Sequence, residues 1–543
     1  MSETDVVDVD VIVIGAGFAG MYALHRLRDE LGLRVVGVER GTGVGGTWYW
    51  NRYPGARCDV ESLWYSYSFS EELEQEWSWS ERFATQPEIL AYAEHVADRF
   101  DLRRDILFST DVRRAEFDDA SSTWTVHTAD GRTLSARFLL TALGNLSAAQ
   151  VPRFPGASEF AGRTFHTGAW PHEGVDFTGR RVAVIGTGSS GIQAIPHIAA
   201  EAAHLFVLQR TPAFSVPARN RPLAEEELAD VKRRYRELRA LIHESPAGLP
   251  VPPSTLKALE LSPAEARSAL EERWARGGGW IASTFADNLL SEEANAVTAD
   301  FVRERIRELV HDPETAESLI PRDYPIGAKR ICVDTDYYAT FNRDDVTLVD
   351  VRRTPIERII PAGVVVGGRE YQVDDLVFAT GYDAFTGPLD KIDIIGSGGM
   401  CLRDKWSEGP ITYLGIATAG FPNLLILTGP GSPSVLANAM PVIEQHVEWA
   451  CALVDHARRH GLHRVEAQPA AEAEWTAHVG EIASRTILMK AASWYLGANV
   501  PGKPRVFVPY AGGLTHYRDI CDGVAADGYR GFTLTGGEDA AVA

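Results

Sequence analysis

The sequence predicts an α/β protein made of two doubly wound, Rossmann-like dinucleotide-binding domains with a helical insertion. Three observations carry this. A G-x-G-x-x-G pattern occurs twice, at Gly15-Ala16-Gly17-Phe18-Ala19-Gly20 and at Gly186-Thr187-Gly188-Ser189-Ser190-Gly191. Each pattern follows an apolar run of buried-strand length, residues 9–14 and 181–185, and opens a segment with helical patterning. An apolar strand running into glycine also appears twice, at residues 138–143 before Gly144 and at 376–380 before Gly381.

Within each pattern the glycines have separate tasks. The first permits a tight turn, the second lets backbone approach a pyrophosphate, and the third allows close helix–strand packing. The helix N-terminus then faces the negative charge. The residue closing each unit indicates the nucleotide. Val35-Val36-Gly37-Val38 runs into Glu39, whose carboxylate can accept hydrogen bonds from ribose hydroxyls. His204-Leu205-Phe206-Val207-Leu208 runs into Gln209-Arg210, where a guanidinium would attract a 2′-phosphate that a carboxylate would repel. The pair reads as FAD first and NADPH second, with an ordinary surface arginine as the alternative for Arg210.

The chain order follows. Residues 1–145 are the first part of the FAD domain. A linker and the first part of the NADP domain occupy 146–222. Residues 223–321 are rich in Glu, Ala, Arg and Leu at helical spacing and read as a helical insertion, broken by the Pro/Gly-rich stretch 246–253. The NADP domain resumes over 322–384, and 385–543 complete the FAD domain with a mobile loop and a small, polar tail.

At 543 residues the chain needs more than one core. Its 53 Lys+Arg against 74 Asp+Glu give a formal charge of −21, which argues against nucleic acid or an anionic membrane as main partner. No apolar stretch has transmembrane length, and the acidic residues 1–10 do not read as a signal peptide. Five scattered cysteines form no C-x-x-C, which disfavours a disulfide framework, a metal site and dithiol redox chemistry. The expectation is a cytoplasmic enzyme without metal, a monomer or weak homo-oligomer.

Between the two predicted sheets lies Phe160-Ala161-Gly162-Arg163-Thr164-Phe165-His166-Thr167-Gly168-Ala169-Trp170-Pro171. It resembles the F-x-G-x-x-x-H-x-x-x-W-P fingerprint of the Baeyer–Villiger monooxygenases. Further segments share the likeness: Gly45 through Asp59, Lys329-Arg330, Ala379-Thr380-Gly381-Tyr382-Asp383 and Ser493 through Asn499. Leu143-Gly144-Asn145 departs mildly from the family pattern and touches nothing catalytic. Phenylacetone, steroid and cyclohexanone monooxygenases are the family members it is most similar to.

The resemblance implies a reaction. NADPH reduces FAD, O₂ forms a C4a-peroxyflavin, and the peroxide attacks a hydrophobic ketone to give an ester or lactone. Arg330 matches the family's active-site arginine, a permanently charged fork suited to developing negative charge. Asp59 matches the carboxylate beside it. Without the resemblance, Lys329-Arg330 would read as a solvated basic pair. Lys329, Arg210 and Thr211 match the 2′-phosphate site, with Gly186, Thr187, Gly188, Ser189, Ser190 and Gly191 at the NADPH pyrophosphate. Gly15, Gly17 and Gly20 hold the FAD pyrophosphate and Glu39 its ribose. Thr47, Trp48, Asp59 and Tyr65 lie near the flavin, and Val112 near the adenine.

Trp494 matches a tryptophan on a loop that closes over NADPH; an ordinary core tryptophan is the alternative. His166 and Trp170, read as part of an interdomain linker, are assigned to domain coupling, with His166 as a general base the sharper alternative. The substrate pocket is assigned to Ser434, Val435, Leu436, Ala439 and Met440. Competing readings are a flavin monooxygenase oxidising N or S centres, a reductase passing electrons to a partner protein, and a nucleotide-sensing module without turnover.

Overall fold

A computed structural model describes residues 6–536. The predicted tail lies outside the described residues.

The first sheet is built on the strand Val6–Ile14, paired in parallel with Val35–Val38 on one side and Thr133–Thr141 on the other. Alternate side chains enter different cores. Val11 and Val13 face the helices, whereas Ile12 and Ile14 face the opposite layer. That period of two, apolar on both faces, explains why residues 11–14 run without polar interruption. Burying one such side chain contributes roughly 1.5–3 kcal/mol. The sheet reaches eight strands with Ile106–Leu107 beside Val35–Val38 and the antiparallel meander Val112–Asp118, Thr123–Thr128 and Thr133–Thr141. Two late strands join it, Asp393–Ile395 beside Val112–Asp118 and Leu424–Ile426 beside Thr133–Thr141.

The second sheet repeats the logic with five parallel strands, in the order Val346–Asp350, His204–Gln209, Arg181–Ile185, Asp375–Phe378 and Arg163–His166. Val182 and Val184 face one core; Ala183 and Ile185 face another. A three-stranded antiparallel sheet, Ile356–Ile360, Gly363–Val366 and Arg369–Gln372, covers that second face and was not anticipated from the sequence.

One reading needs correction here. His166 does not lie in a linker: Arg163–His166 is the edge strand of the second sheet, and His166 ends it in register with Phe378. Four residues are too few to show a period, and three of them are polar, so the strand left no signal. Residues 223–321 are helical, as Glu225–His243, Pro263–Arg276, Glu292–Leu309 and Pro313–Leu319, but they form no core of their own. Val231, Tyr235, Leu238 and Ile242 of the first helix pack into the core of the first sheet. Leu270, Trp274, Phe301 and Val302 of the next two pack into that of the second. Each helix carries one apolar stripe, and the stripe, not the chain order, chooses the partner.

Candidate active site

The two glycine loops are built alike. Gly15 has φ +106°, and a Cβ there would lie 2.5 Å from the Ala142 carbonyl oxygen. Gly186 has φ +112°, and a Cβ there would lie 2.3 Å from the Ala379 carbonyl oxygen. Each exit strand therefore ends against its own loop, which explains why glycine stands at both turns. Gly20 and Gly191 lie in the first turns of the helices Phe18–His25 and Ser189–Glu201, packed on the same loops.

Around the first loop, the Glu39 carboxylate accepts hydrogen bonds from the backbone N–H of Ala16 (2.9 Å) and of Gly41 (2.6 Å). Thr110 donates its N–H to the Glu39 carbonyl at 2.9 Å, which brings the strand starting at Val112 alongside. Backbone at Gly46 approaches Gly17 so closely that a Cβ at Gly46 would sit 2.8 Å from the Gly17 Cα. This contact aims the helix Thr47–Trp50. Thr47 is exposed, and Trp48 is buried with its indole N–H donated to the Tyr65 hydroxyl at 3.1 Å. A loop where only glycine fits, backed by a ribose-seeking carboxylate, suits a dinucleotide.

Around the second loop, the Thr187 hydroxyl donates to the Thr211 carbonyl at 3.2 Å, so loop and 210–211 turn are joined. Ser190 pairs with Thr167 at 3.1 Å, and Ser189 meets the Cys332 thiol at 3.5 Å. Gly188 is exposed, and a Cβ there would meet nothing within 4 Å. The Lys329 ammonium sits 4.5 Å over the Tyr324 ring. Burial, then the nearby charge of Arg210, lowers the Lys329 pKa. The neighbouring carboxylate Asp323 is already bonded to Arg352 at 2.8 Å. Two repelling cations beside a joined loop and turn are the donor set a doubly charged phosphate fits.

Between the loops, Arg330 meets Asp59 in a bidentate pair. Its Nε donates to Asp59 Oδ2 at 2.5 Å and its Nη2 to Oδ1 at 2.7 Å. Its Nη1 donates to the Val435 carbonyl at 2.8 Å. Arg330 precedes the strand Cys332–Asp334, whereas Asp59 comes from the first-sheet side. Burial alone would raise the Asp59 pKa, but the guanidinium overrides it and holds the carboxyl below its ordinary value. Asp59 in turn raises the already high Arg330 pKa. Both side chains are half-buried, at 33% and 24% exposure, so the charge pair is pre-formed yet open on one side.

The predicted pocket residues separate. Ser434 is buried in a left-handed conformation (φ +37°), and its hydroxyl has no hydrogen-bond partner among the described residues. Val435 and Leu436 are half-buried against the cluster of Phe385, Tyr495, Leu496 and Phe507. Ala439 is half-buried at the start of the helix Ala439–Arg459. Met440 is a correction. It has no exposed surface and belongs to the core of the first sheet, because the Asn438 cap starts the helix with Met440 turned inward.

Trp494 is half-buried and stacks on Phe385 with ring centroids 5.6 Å apart. His166 is buried. Its Nδ1 accepts from the Gly168 N–H at 2.9 Å, which leaves Nε2 to donate to the Gln150 carbonyl at 3.2 Å. Burial lowers its pKa, so it stands neutral with both nitrogens engaged. Trp170 is buried against Phe165 and Phe177. With both imidazole nitrogens engaged, the geometry disfavours His166 as a general base.

Sequence reasoning missed Tyr495, buried beside Arg330, its hydroxyl pushed up to about 12 mainly by burial, with the guanidinium opposing. It also missed Gln193 and Tyr382, which tie the second sheet to the segment leading to Asp59. Gln193 follows the second glycine pattern closely, the one signal that would have singled it out.

These features define a two-dinucleotide flavoprotein oxidoreductase, and comparison narrows the class. Residues 8–219 match the family model described as flavin-binding monooxygenase-like. The Baeyer–Villiger monooxygenase of Pseudooceanicola batsensis is 43% identical, over 96% of this chain and 95% of its own. A structure of oxidised steroid monooxygenase bound to NADP is 52% identical, with a TM-score of 0.93, over 98% of this chain and 100% of that one. The closed structure of cyclohexanone monooxygenase is 44% identical, with a TM-score of 0.96 and the same coverage. The chain belongs to the Baeyer–Villiger monooxygenase family. No helix among the described residues is long and apolar enough to cross a membrane.

Proposed function

We propose that this protein is an NADPH- and O₂-dependent Baeyer–Villiger monooxygenase that converts a hydrophobic ketone into an ester or lactone, with FAD at the first glycine loop and NADPH at the second. The observation that carries this is the Asp59–Arg330 pair, set between the two loops and bonded to the Val435 carbonyl. FAD, when bound and reduced by NADPH, supplies the oxygen chemistry.

The chain's own residues supply charge, orientation and exclusion of water. Arg330 keeps a fixed positive charge and two engaged edges, so its fork is oriented before substrate arrives. Negative charge developing on the ketone oxygen is stabilised there without reorganisation, an effect worth about 10²–10³ in rate. Asp59 orients the fork and stays ionised throughout the neutral range. Lys329, Arg210 and Thr211 hold the 2′-phosphate. Gly186 and Gly191 shape the loop for the pyrophosphate, and Gly188 leaves space beside it. Gly15, Gly17, Gly20 and Glu39 hold the FAD pyrophosphate and ribose, Thr47, Trp48 and Tyr65 face the flavin, and Val112 the adenine. Trp494 caps the nicotinamide end and excludes water.

Val435, Leu436 and Ala439, with Ser434 setting the turn, form the ketone pocket; their small apolar character fits cyclic, aryl or steroid ketones. Five unpaired cysteines, four of them buried, support a cytoplasmic setting, and we read the protein as a monomer or weak homo-oligomer. The test is NADPH oxidation by the FAD-loaded protein with phenylacetone, cyclohexanone and a steroid ketone, with products read by mass spectrometry. Ester or lactone from at least one ketone supports the reading. Oxidation of amines and sulfides alone, with every ketone untouched, would move the function to N- and S-oxygenation.

A further inference from the structure

Residues 51–59 leave the flavin-side helix Thr47–Trp50 and end at Asp59. Residues 56–58 are held to the 84–86 segment, where the Cys58 N–H donates to the Ala84 carbonyl at 3.1 Å and the Gln86 N–H to the Ala56 carbonyl at 2.8 Å, and residues 51–57 also reach the second sheet's elements. Asn51 accepts a hydrogen bond from the Tyr382 hydroxyl at 2.8 Å. Tyr382 follows the exit glycine of the second sheet and packs on the fingerprint, where a Cβ at Gly168 would sit 2.6 Å from its ring. Its carbonyl accepts from Asn499 at 2.7 Å, on the segment that carries Trp494. Farther along, Gln193 uses both ends of its amide: Oε1 accepts from the Tyr53 hydroxyl at 2.8 Å, and Nε2 donates to the Arg57 carbonyl at 3.1 Å. Gly55 presses on the same helix, Ser189–Glu201; a Cβ there would lie 2.5 Å from the Gln193 carbonyl oxygen. That helix opens at Gly188, on the second glycine loop.

We propose that Gln193 is a positioning residue that links NADP occupancy of the second glycine loop to the placement of Asp59, and through Asp59 to Arg330. The argument is mechanical. A helix that shifts with its N-terminal ligand carries Gln193 with it. Two hydrogen bonds from one amide then move the 53–57 backbone, which cannot slip because Gly55 leaves no gap. Asp59 is two residues beyond Arg57, and its carboxylate fixes two of the three donors that orient Arg330. The coupling element is thus one contiguous path of hydrogen bonds and intervening backbone from nucleotide loop to charge pair.

The inference rests on the two-cofactor reading, and its test needs no ketone, so failure to oxygenate a ketone does not bear on it. NADP⁺ is titrated into the oxidised FAD holoenzyme while the flavin difference spectrum is recorded, and flavin reduction by NADPH is followed by stopped flow. Gln193→Leu, Tyr53→Phe and the double variant are compared with the parent. In both single variants, the saturating difference spectrum should shrink at least about twofold and flavin reduction slow about tenfold, with the NADP⁺ Kd within about threefold. The double variant should be no worse than the worse single, because both remove one shared bond. If Gln193→Leu does not fold, Tyr53→Phe removes the same bond from the other side and carries the test. A Kd weakened about tenfold with a full-sized difference spectrum would make Gln193 a plain nucleotide ligand and overturn the proposal. So would unchanged spectra and rates, or singles whose effects add in the double.

Discussion

Arg330 and Asp59 stand 271 positions apart in the chain and meet through two hydrogen bonds of 2.5 and 2.7 Å. Neither sheet supplies both, so the pair exists only when the two halves are docked. The charge the reaction needs is assembled by the tertiary fold, and its strength depends on the fork geometry of the arginine.

Arg330→Lys should therefore fail despite keeping the charge. An ammonium cannot bond Asp59 through two parallel donors and still reach the Val435 carbonyl. Ketone oxygenation should fall about 10²–10³-fold with FAD still bound. Steady-state kinetics and flavin content check this; oxygenation within about threefold of the parent would show that the fork geometry is dispensable.

Asp59→Asn keeps the size of the side chain and removes the charge that fixes the fork. Oxygenation should drop about 10–100-fold. The parent's acid limit follows from the depressed Asp59 pKa. Its stabilising effect is present above the unfolded value of 3.8 and is lost as pH falls through the lower folded value. Between about pH 6 and 9, removing Asp59 should thus shift the activity level but not the shape of the pH profile. A new ionisation in that window in Asp59→Asn would contradict the assignment.

Lys329→Ala and Arg210→Ala should each raise KM for NADPH about 10–100-fold, the worth of a charge-assisted contact, while leaving NADH kinetics nearly unchanged. Relative use of the two cofactors reads this directly. An equal loss with both would place the two cations away from the 2′-phosphate.

The two glycine loops allow a contrast. Gly15→Ala forces a Cβ to 2.5 Å from a carbonyl oxygen at φ +106°, so the protein should lose FAD or fail to fold. Gly188→Ala meets nothing in the protein, so melting should be unchanged while NADPH affinity falls, because the new methyl enters the space beside the pyrophosphate. Calorimetry with NADP⁺ titration separates the two. Undiminished NADPH affinity in Gly188→Ala would remove that glycine from the site.

Asp334 offers a stability test away from the chemistry. Burial pushes its carboxyl up to about 6 against hydrogen bonds from Ser215 and the Tyr337 N–H. A folded value above the unfolded 3.8 means the folded state favours the proton, so stability falls as pH rises from 3.8 through about 6. Asp334→Asn should melt higher than the parent at about pH 8 and converge with it near pH 4. Parallel melting curves at both pH values would refute this.

Much of this was legible in the chain. Both glycine loops, both exit strands and the Glu39 and Arg210 positions follow local patterns of period and turn chemistry, which sequence records directly. The pair of Arg330 and Asp59 was reached only through family resemblance, because nothing local distinguishes Lys329-Arg330 from a surface pair. The edge strand ending at His166 went unseen, being four residues long, and so its satisfied imidazole was read as part of a linker. Met440 was misplaced because its direction depends on where the Asn438 cap starts a helix, a matter of one residue. Gln193 and Tyr382 are ordinary in sequence and matter only through partners from the other half of the chain.

The most direct test of the central claim is turnover under ¹⁸O₂. The FAD-loaded protein is supplied with NADPH and a hydrophobic ketone, and the product mass is measured. One ¹⁸O atom in an ester or lactone, lost with Arg330→Ala while NADPH oxidation persists, is the expected result. NADPH oxidation yielding only hydrogen peroxide with every ketone, or labelled ester formed undiminished by Arg330→Ala, would contradict the account.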